Sequence, residues 1–119
     1  MRRVGGAVPL TDDTRGLIDA DVLAAMRDDA YLINVARGAV VDQPALVDAL
    51  EDGAVAGAAL DVFETEPLPD SSPLWGMDEV IVSPHCAGST HRYHEHVGSI
   101  VAENVERLRA GDDLVNRVL

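Results

Sequence analysis

Short apolar runs alternate with amphipathic segments along this 119-residue chain. Ala30 to Ala36 is almost uninterruptedly apolar, the pattern of a parallel strand covered on both faces. Val55 to Val62 and Val80 to Val82 read the same way, and Val4 to Leu10 predicts a short or frayed strand, weakened by Gly5-Gly6. Between them lie helices. Asp19 or Asp21 is placed to cap about two turns that bury Leu23, Ala24 and Met26. Asp42 caps a second, with Pro44 early, Leu46, Val47 and Leu50 at helical spacing, and Gly53 at its stop. Glu64 to Ser72 reads as a loop, and Leu74-Trp75 as a short apolar plug. Ser89 or Thr90 then caps a long helix over about 90–110, with Val97, Ile100, Val101, Asn104, Val105 and Leu108 as its buried stripe and Gly111 as its end. The order β-α-β-α-β-β-α is that of a layered α/β fold.

Charge changes the picture more than composition does. Twenty-one acids face nine bases, a formal net charge of −12, and every base is Arg. Such a surface repels nucleic acid and anionic membrane, and its self-repulsion costs stability unless salt screens it. With Asp outnumbering Glu, the pattern implies a halophilic protein adapted to high intracellular salt. Met1-Arg2-Arg3 followed by Val4-Gly5-Gly6 does not resemble a signal peptide, and no apolar run approaches bilayer-spanning length. Cys86 is the sole cysteine, which fits a reducing cytoplasm.

Polar side chains stand just past three of the predicted strands. Arg37 follows the first with Gly38 to turn the chain, Asp61 closes the second with Glu66 beyond it, and His85 follows the third. Parallel strands gather their carboxyl ends on one edge, where ligands of open α/β sheets bind. Arg37 is a fork of donors suited to a carboxylate, and it can polarise an adjacent carbonyl. His85 can shuttle a proton, and a neighbouring Glu66 favours its imidazolium form. That set suits reduction of a 2-oxo acid. Two other readings exist: a metal site from Cys86, His91, His94, Glu95 and His96, and a Cys86 thiol nucleophile beside His85. The first lacks zinc-type pair spacing, and the second lacks a second base.

Leu32 to Asp42, Ala58 to Pro69 and Ser83-Pro84-His85 resemble the last third of the NAD-dependent D-isomer-specific 2-hydroxyacid dehydrogenases. Pro9-Leu10-Thr11 with Thr14 and Gly16, Glu103-Asn104, and Gly111, Leu114 and Asn116 are similar too. The resemblance implies an incomplete Rossmann-like parallel sheet with flanking helices, lacking its N-terminal βαβ unit. It implies that Arg37 binds the substrate carboxylate and carbonyl, that His85 is the acid/base, and that Glu66 is its partner. It further implies a cofactor, NAD or NADP. Asp61 is similar to the residue that holds the nicotinamide carboxamide; Val35 and Ala36 lie along the nicotinamide, Ala87 and Gly88 approach it, and Val8 contacts it through backbone. Cys86 becomes a small packed residue.

Glu66 beside His85 favours hydroxyacid chemistry over formate oxidation, and the chain's end at Leu119 tilts the expectation towards a glyoxylate or hydroxypyruvate reductase. The chain contains no Gly-x-Gly-x-x-Gly to cradle a pyrophosphate. The expectation is therefore a C-terminal part, residues 1–119, whose long helix returns towards an absent substrate domain. Alone it is expected to be inactive, with an uncovered sheet edge and helix stripe that invite a homodimer or a separate N-terminal half.

Overall fold

The structure, a computed structural model, describes residues 3–117 as two units, one ending at Ala87 and one beginning at Gly88. The first unit is built on a four-stranded parallel sheet of order β1-β2-β3-β4: β1 Arg3–Gly6, β2 Tyr31–Asn34, β3 Gly57–Leu60 and β4 Val80–Val82. Helices α1 (Ala20–Ala25) and α2 (Gln43–Glu51) are the crossovers. Asp19 and Asp42 cap them, accepting from the N–H groups of Val22 and Ala45 at 2.9 and 3.0 Å. Each cap satisfies an otherwise orphaned N–H of a first turn. Gly53 ends α2 in the left-handed region, φ +68°, with its N–H on the Leu50 carbonyl.

The pleat sorts the strands into two faces. Val4, Leu32, Ala58 and Val80 stand in register on one, and Leu23, Leu46, Leu50, Phe63, Leu68 and Leu74 close over it to form the core. The opposite face carries Tyr31, 48 % exposed, and Ile81, 69 % exposed. The expectation of a sheet covered on both faces is therefore corrected: the crossover helices cover one side only.

β4 spans Val80–Val82 as the sequence predicts, but the other three strands are shorter than the apolar runs that encode them. β1 stops at Gly6 rather than Leu10; Pro9 has no N–H for a ladder. β2 stops at Asn34, whose side chain takes over the next backbone groups, and β3 stops at Leu60, where β4 ends its pairing. Of the Leu74-Trp75 plug only Leu74 is buried; the Trp75 indole N–H donates to the Pro69 carbonyl and the ring is 54 % exposed. A further feature had no sequence signal. Ile18 bridges to Val41, so that the 11–18 loop is strapped beside a single 3-10 turn, Gly38–Val40.

The second unit is essentially α3, Tyr93–Ala110. It begins later than Ser89 or Thr90 allow: Arg92 is the N-cap position, without a side-chain bond, because the Thr90 carbonyl closes a tight turn onto the Tyr93 N–H. Gly111 ends it as expected, at φ +80°. The apolar stripe read from the sequence is uncovered here, as the fragment reading expects: no residue of α3 is buried, and Leu108 is 71 % exposed. Asn104 instead fastens the tail, its amide bonding both backbone groups of Val115 at 2.8 and 3.2 Å. No described helix is long and apolar enough to cross a membrane.

Candidate active site

The exits of β2, β3 and β4 share one edge of the sheet, and each is fixed differently. Asn34 closes β2, fully buried. Its Oδ1 accepts the Ala36 N–H at 3.1 Å and its Nδ2 donates to the Arg37 carbonyl at 3.1 Å. This amide holds the turn from both sides and leaves the Arg37 side chain exposed, its guanidinium donating to the Ala36 carbonyl at 2.6 Å. Gly38 is required next. A Cβ there would overlap the Phe63 carbonyl and the Glu64 nitrogen, so the Arg37 turn lies directly on the loop that follows β3.

Asp61 closes β3 and is only 4 % exposed. Its Oδ1 accepts from Ser83 Oγ at 2.6 Å and from the Cys86 N–H at 2.8 Å; its Oδ2 accepts from the Ala87 N–H at 2.8 Å. These bonds, the Ser83 hydroxyl foremost, outweigh desolvation and lower its pKa to about 2. The carboxylate stays charged.

His85 follows β4 through Ser83-Pro84, in the left-handed region at φ +52°. Its Nδ1 lies 2.7 Å from Glu66 Oε2, while Glu66 Oε1 accepts the Phe63 N–H at 3.0 Å. Glu66 is thereby held below the usual carboxylate range, through the His85 bond first, the Phe63 N–H next, and a small contribution from the Arg37 charge. An ionised carboxylate has no proton to give, so Nδ1 is the donor and Nε2 is left for another partner.

The edge therefore brings together much of what the sequence nominated. Glu66 and His85 touch, Asp61 and Ala87 are bonded within the His85 loop, and Arg37 stands one strand exit away. Val8, Val35, Ala36 and Arg37 line one cleft of about 460 Å³ with Ala7, Pro9 and Leu10. Glu66 and His85 stand at a second, largely apolar cavity of about 520 Å³ with Phe63, Leu68, Trp75 and Val82. Gly88 opens the second unit and is described apart from these. Cys86 is exposed rather than packed, and its backbone N–H serves the Asp61 carboxylate. Among the described residues no three His, Cys, Asp or Glu side chains converge to hold a metal. Two residues of the site carried no role in the sequence reading, Asn34 and Ser83. The signal for Asn34 was present: an amide closing an apolar run must find partners inside.

Residues 3–87, essentially the first unit, match the model of the D-isomer specific 2-hydroxyacid dehydrogenase, NAD binding domain. The glyoxylate reductase of Thermofilum pendens is 48 % identical over 105 residues, 88 % of this chain and 31 % of the relative. Among solved structures, the D-isomer specific 2-hydroxyacid dehydrogenase of Xanthobacter autotrophicus Py2 in complex with NADPH and MES is 47 % identical, with a TM-score of 0.91 over 99 % of this chain and 48 % of that one. The NADPH-dependent glyoxylate/hydroxypyruvate reductase of Sinorhizobium meliloti, in complex with NADP and sulfate, is 33 % identical, with a TM-score of 0.87 over 96 % of this chain and 37 % of that one. The chain spans about a third of the length of the curated relatives it matches.

Proposed function

Since the chain belongs to the D-isomer specific 2-hydroxyacid dehydrogenase family through its NAD-binding domain, we propose that it is the C-terminal part of an NAD(P)-dependent reductase of small 2-oxo acids of the glyoxylate and hydroxypyruvate kind. The observation that carries this reading is the 2.7 Å contact between His85 Nδ1 and Glu66. It engages Nδ1 and leaves Nε2 for the substrate, the arrangement an acid/base histidine needs. Reduction of a 2-oxo acid requires a proton at the carbonyl oxygen, and His85 Nε2 delivers it; oxidation of the hydroxy acid returns it to the same atom. Arg37 holds the substrate carboxylate by two bonds and draws electron density from the neighbouring carbonyl. The Glu66 carboxylate keeps the ring oriented through its bond to Nδ1.

The residues present fit one end of the cofactor. Val35 is a large apolar side chain left exposed at a strand's carboxyl end, facing a cleft shared with Val8 and Pro9. A flat aromatic ring suits such a wall. Val8, Val35 and Ala36 would hold the nicotinamide, with Ala87 approaching it and Asp61 accepting from its carboxamide. When bound, the cofactor supplies the hydride. The pyrophosphate end finds no glycine-rich loop in these residues, so full activity calls for a complementing N-terminal half, and the chain by itself is inactive. The long helix, expected over about 90–110 and found as Tyr93–Ala110, would return towards that half.

The test joins this chain to the N-terminal portion of a glyoxylate reductase relative and follows NADH or NADPH oxidation with glyoxylate and hydroxypyruvate. Turnover that His85→Ala reduces by about 100-fold or more, with cofactor binding retained, is the expected result. A folded, cofactor-binding chimera with no 2-oxo acid turnover overturns the reading.

A further inference from the structure

We propose that Asp61 is the positioning residue of His85: its carboxylate is the anchor around which the 83–87 loop is wound, and it holds the histidine in a left-handed backbone conformation aimed at Glu66. This goes beyond the contact with a nicotinamide carboxamide. It rests on the reading above only for the importance of His85.

The loop is built as an anion cradle whose anion is part of the chain. A non-glycine residue in the left-handed region costs of order 1 kcal/mol or more, and the surroundings must hold it there. His85 is such a residue, at φ +52°. The two N–H groups that follow it, of Cys86 and Ala87, each reach Asp61 at 2.8 Å, and Ser83 Oγ before it reaches the same carboxylate at 2.6 Å. Successive N–H groups next to a left-handed residue form a concavity that suits an anion. Donors on both sides of His85 thus converge on one buried carboxylate; the further backbone bonds are the Ser83 N–H on the Leu60 carbonyl at 2.9 Å, at the strand exit before the histidine, and a turn from the His85 N–H to the Ser83 carbonyl at 3.1 Å. Asp61 is itself fixed, its own N–H donating to the Asn34 carbonyl at 3.0 Å. The histidine therefore has two supports. Glu66 holds the ring; Asp61 holds the backbone that brings the ring to Glu66. Without the second, nothing on the β4 side keeps His85 out of an ordinary conformation, and the ring leaves Glu66.

The readout is the titration of Glu66, because the His85 bond is the main cause that holds it low. The experiment uses the isotopically labelled chain in molar KCl, without substrate or cofactor, comparing Asp61→Ala, Asp61→Asn and His85→Asn by carbon-detected titration of side-chain carboxyls and by amide exchange. In Asp61→Ala the Glu66 midpoint rises towards the ordinary glutamate range, and Cys86 and Ala87 exchange at least ten times faster. Asp61→Asn keeps the shape but turns an amide N–H₂ or a single oxygen towards three donors, so both effects appear in smaller measure; it decides the matter if the alanine variant does not fold. His85→Asn, a residue tolerant of the left-handed region, raises the Glu66 midpoint while Cys86 and Ala87 stay protected. A folded Asp61 variant whose Glu66 titrates as in the parent chain overturns the proposal, whether or not the amides lose protection. Because no turnover is measured, this failure is separate from a failure of the reductase reading.

Discussion

Two carboxylates a few residues apart in sequence do different work because their surroundings differ. Asp61 is buried and saturated by donors, while Glu66 is partly exposed and shares one oxygen with His85. Both are depressed in the folded state, so both contribute stability that is fully present above their unfolded values and is lost as pH falls through the folded ones. For Asp61 that window runs from the ordinary 3.8 down to about 2. An acid titration followed by tryptophan fluorescence should therefore keep a folded baseline to lower pH in the parent chain than in Ser83→Ala, which removes the foremost donor to Asp61. Coincident acid transitions in the two proteins would contradict the assignment. Arg37 poses a different question, since its charge bears on Glu66 only weakly. In the chimera, Arg37→Lys keeps the charge and loses the fork, so KM for the 2-oxo acid should rise about tenfold with kcat also falling. An unchanged KM would remove Arg37 from the carboxylate site.

Among the elements, the turns carry the site and the strands carry the turns. Gly38 marks where the Arg37 turn meets the Phe63-Glu64 backbone, and Gly98 marks an open stretch of α3, where an added Cβ meets nothing within 4 Å. The same substitution should act oppositely at the two. Gly38→Ala forces backbone apart and should cost about 3 kcal/mol or prevent folding, whereas Gly98→Ala should stabilise its helix by about 0.5–1 kcal/mol. Urea denaturation of both variants checks this, and equal effects would remove the steric account of the Arg37 turn. Much of this scaffold could be read from sequence, since Asp19 and Asp42 cap by a rule that needs only the next three residues. The same is true of the strand exits at Arg37, Asp61 and His85, where short apolar runs end. The length of β2 was not legible, because the strand ends when the Asn34 side chain captures the Ala36 N–H, a bond that depends on the turn already being formed. The start of α3 failed similarly: Ser89 and Thr90 are good caps by type, but a tight turn at Thr90–Tyr93 sets the first helical residue instead.

The whole molecule combines a one-sided sheet with a strongly acidic surface. A parallel sheet is ordinarily covered on both faces, yet Tyr31 and Ile81 lie open here, and the relatives are about three times as long as this chain. A small unit with an uncovered apolar face has little stability in reserve. Against that stands self-repulsion from a net charge of −12, carried with no lysine. Two salt effects can then be told apart by their concentration dependence. Screening is nearly complete once the Debye length falls to about 3 Å near 1 M, whereas salting-in or salting-out of apolar surface continues beyond it. We expect the urea midpoint of the chain to rise steeply between low salt and about 1 M KCl and to flatten thereafter, with NaCl equivalent to KCl at equal ionic strength. A midpoint that is the same in dilute buffer and in molar KCl would refute the halophilic reading of the charge pattern. A rise without a plateau would instead make the uncovered face, not the charge, the property to which salt responds.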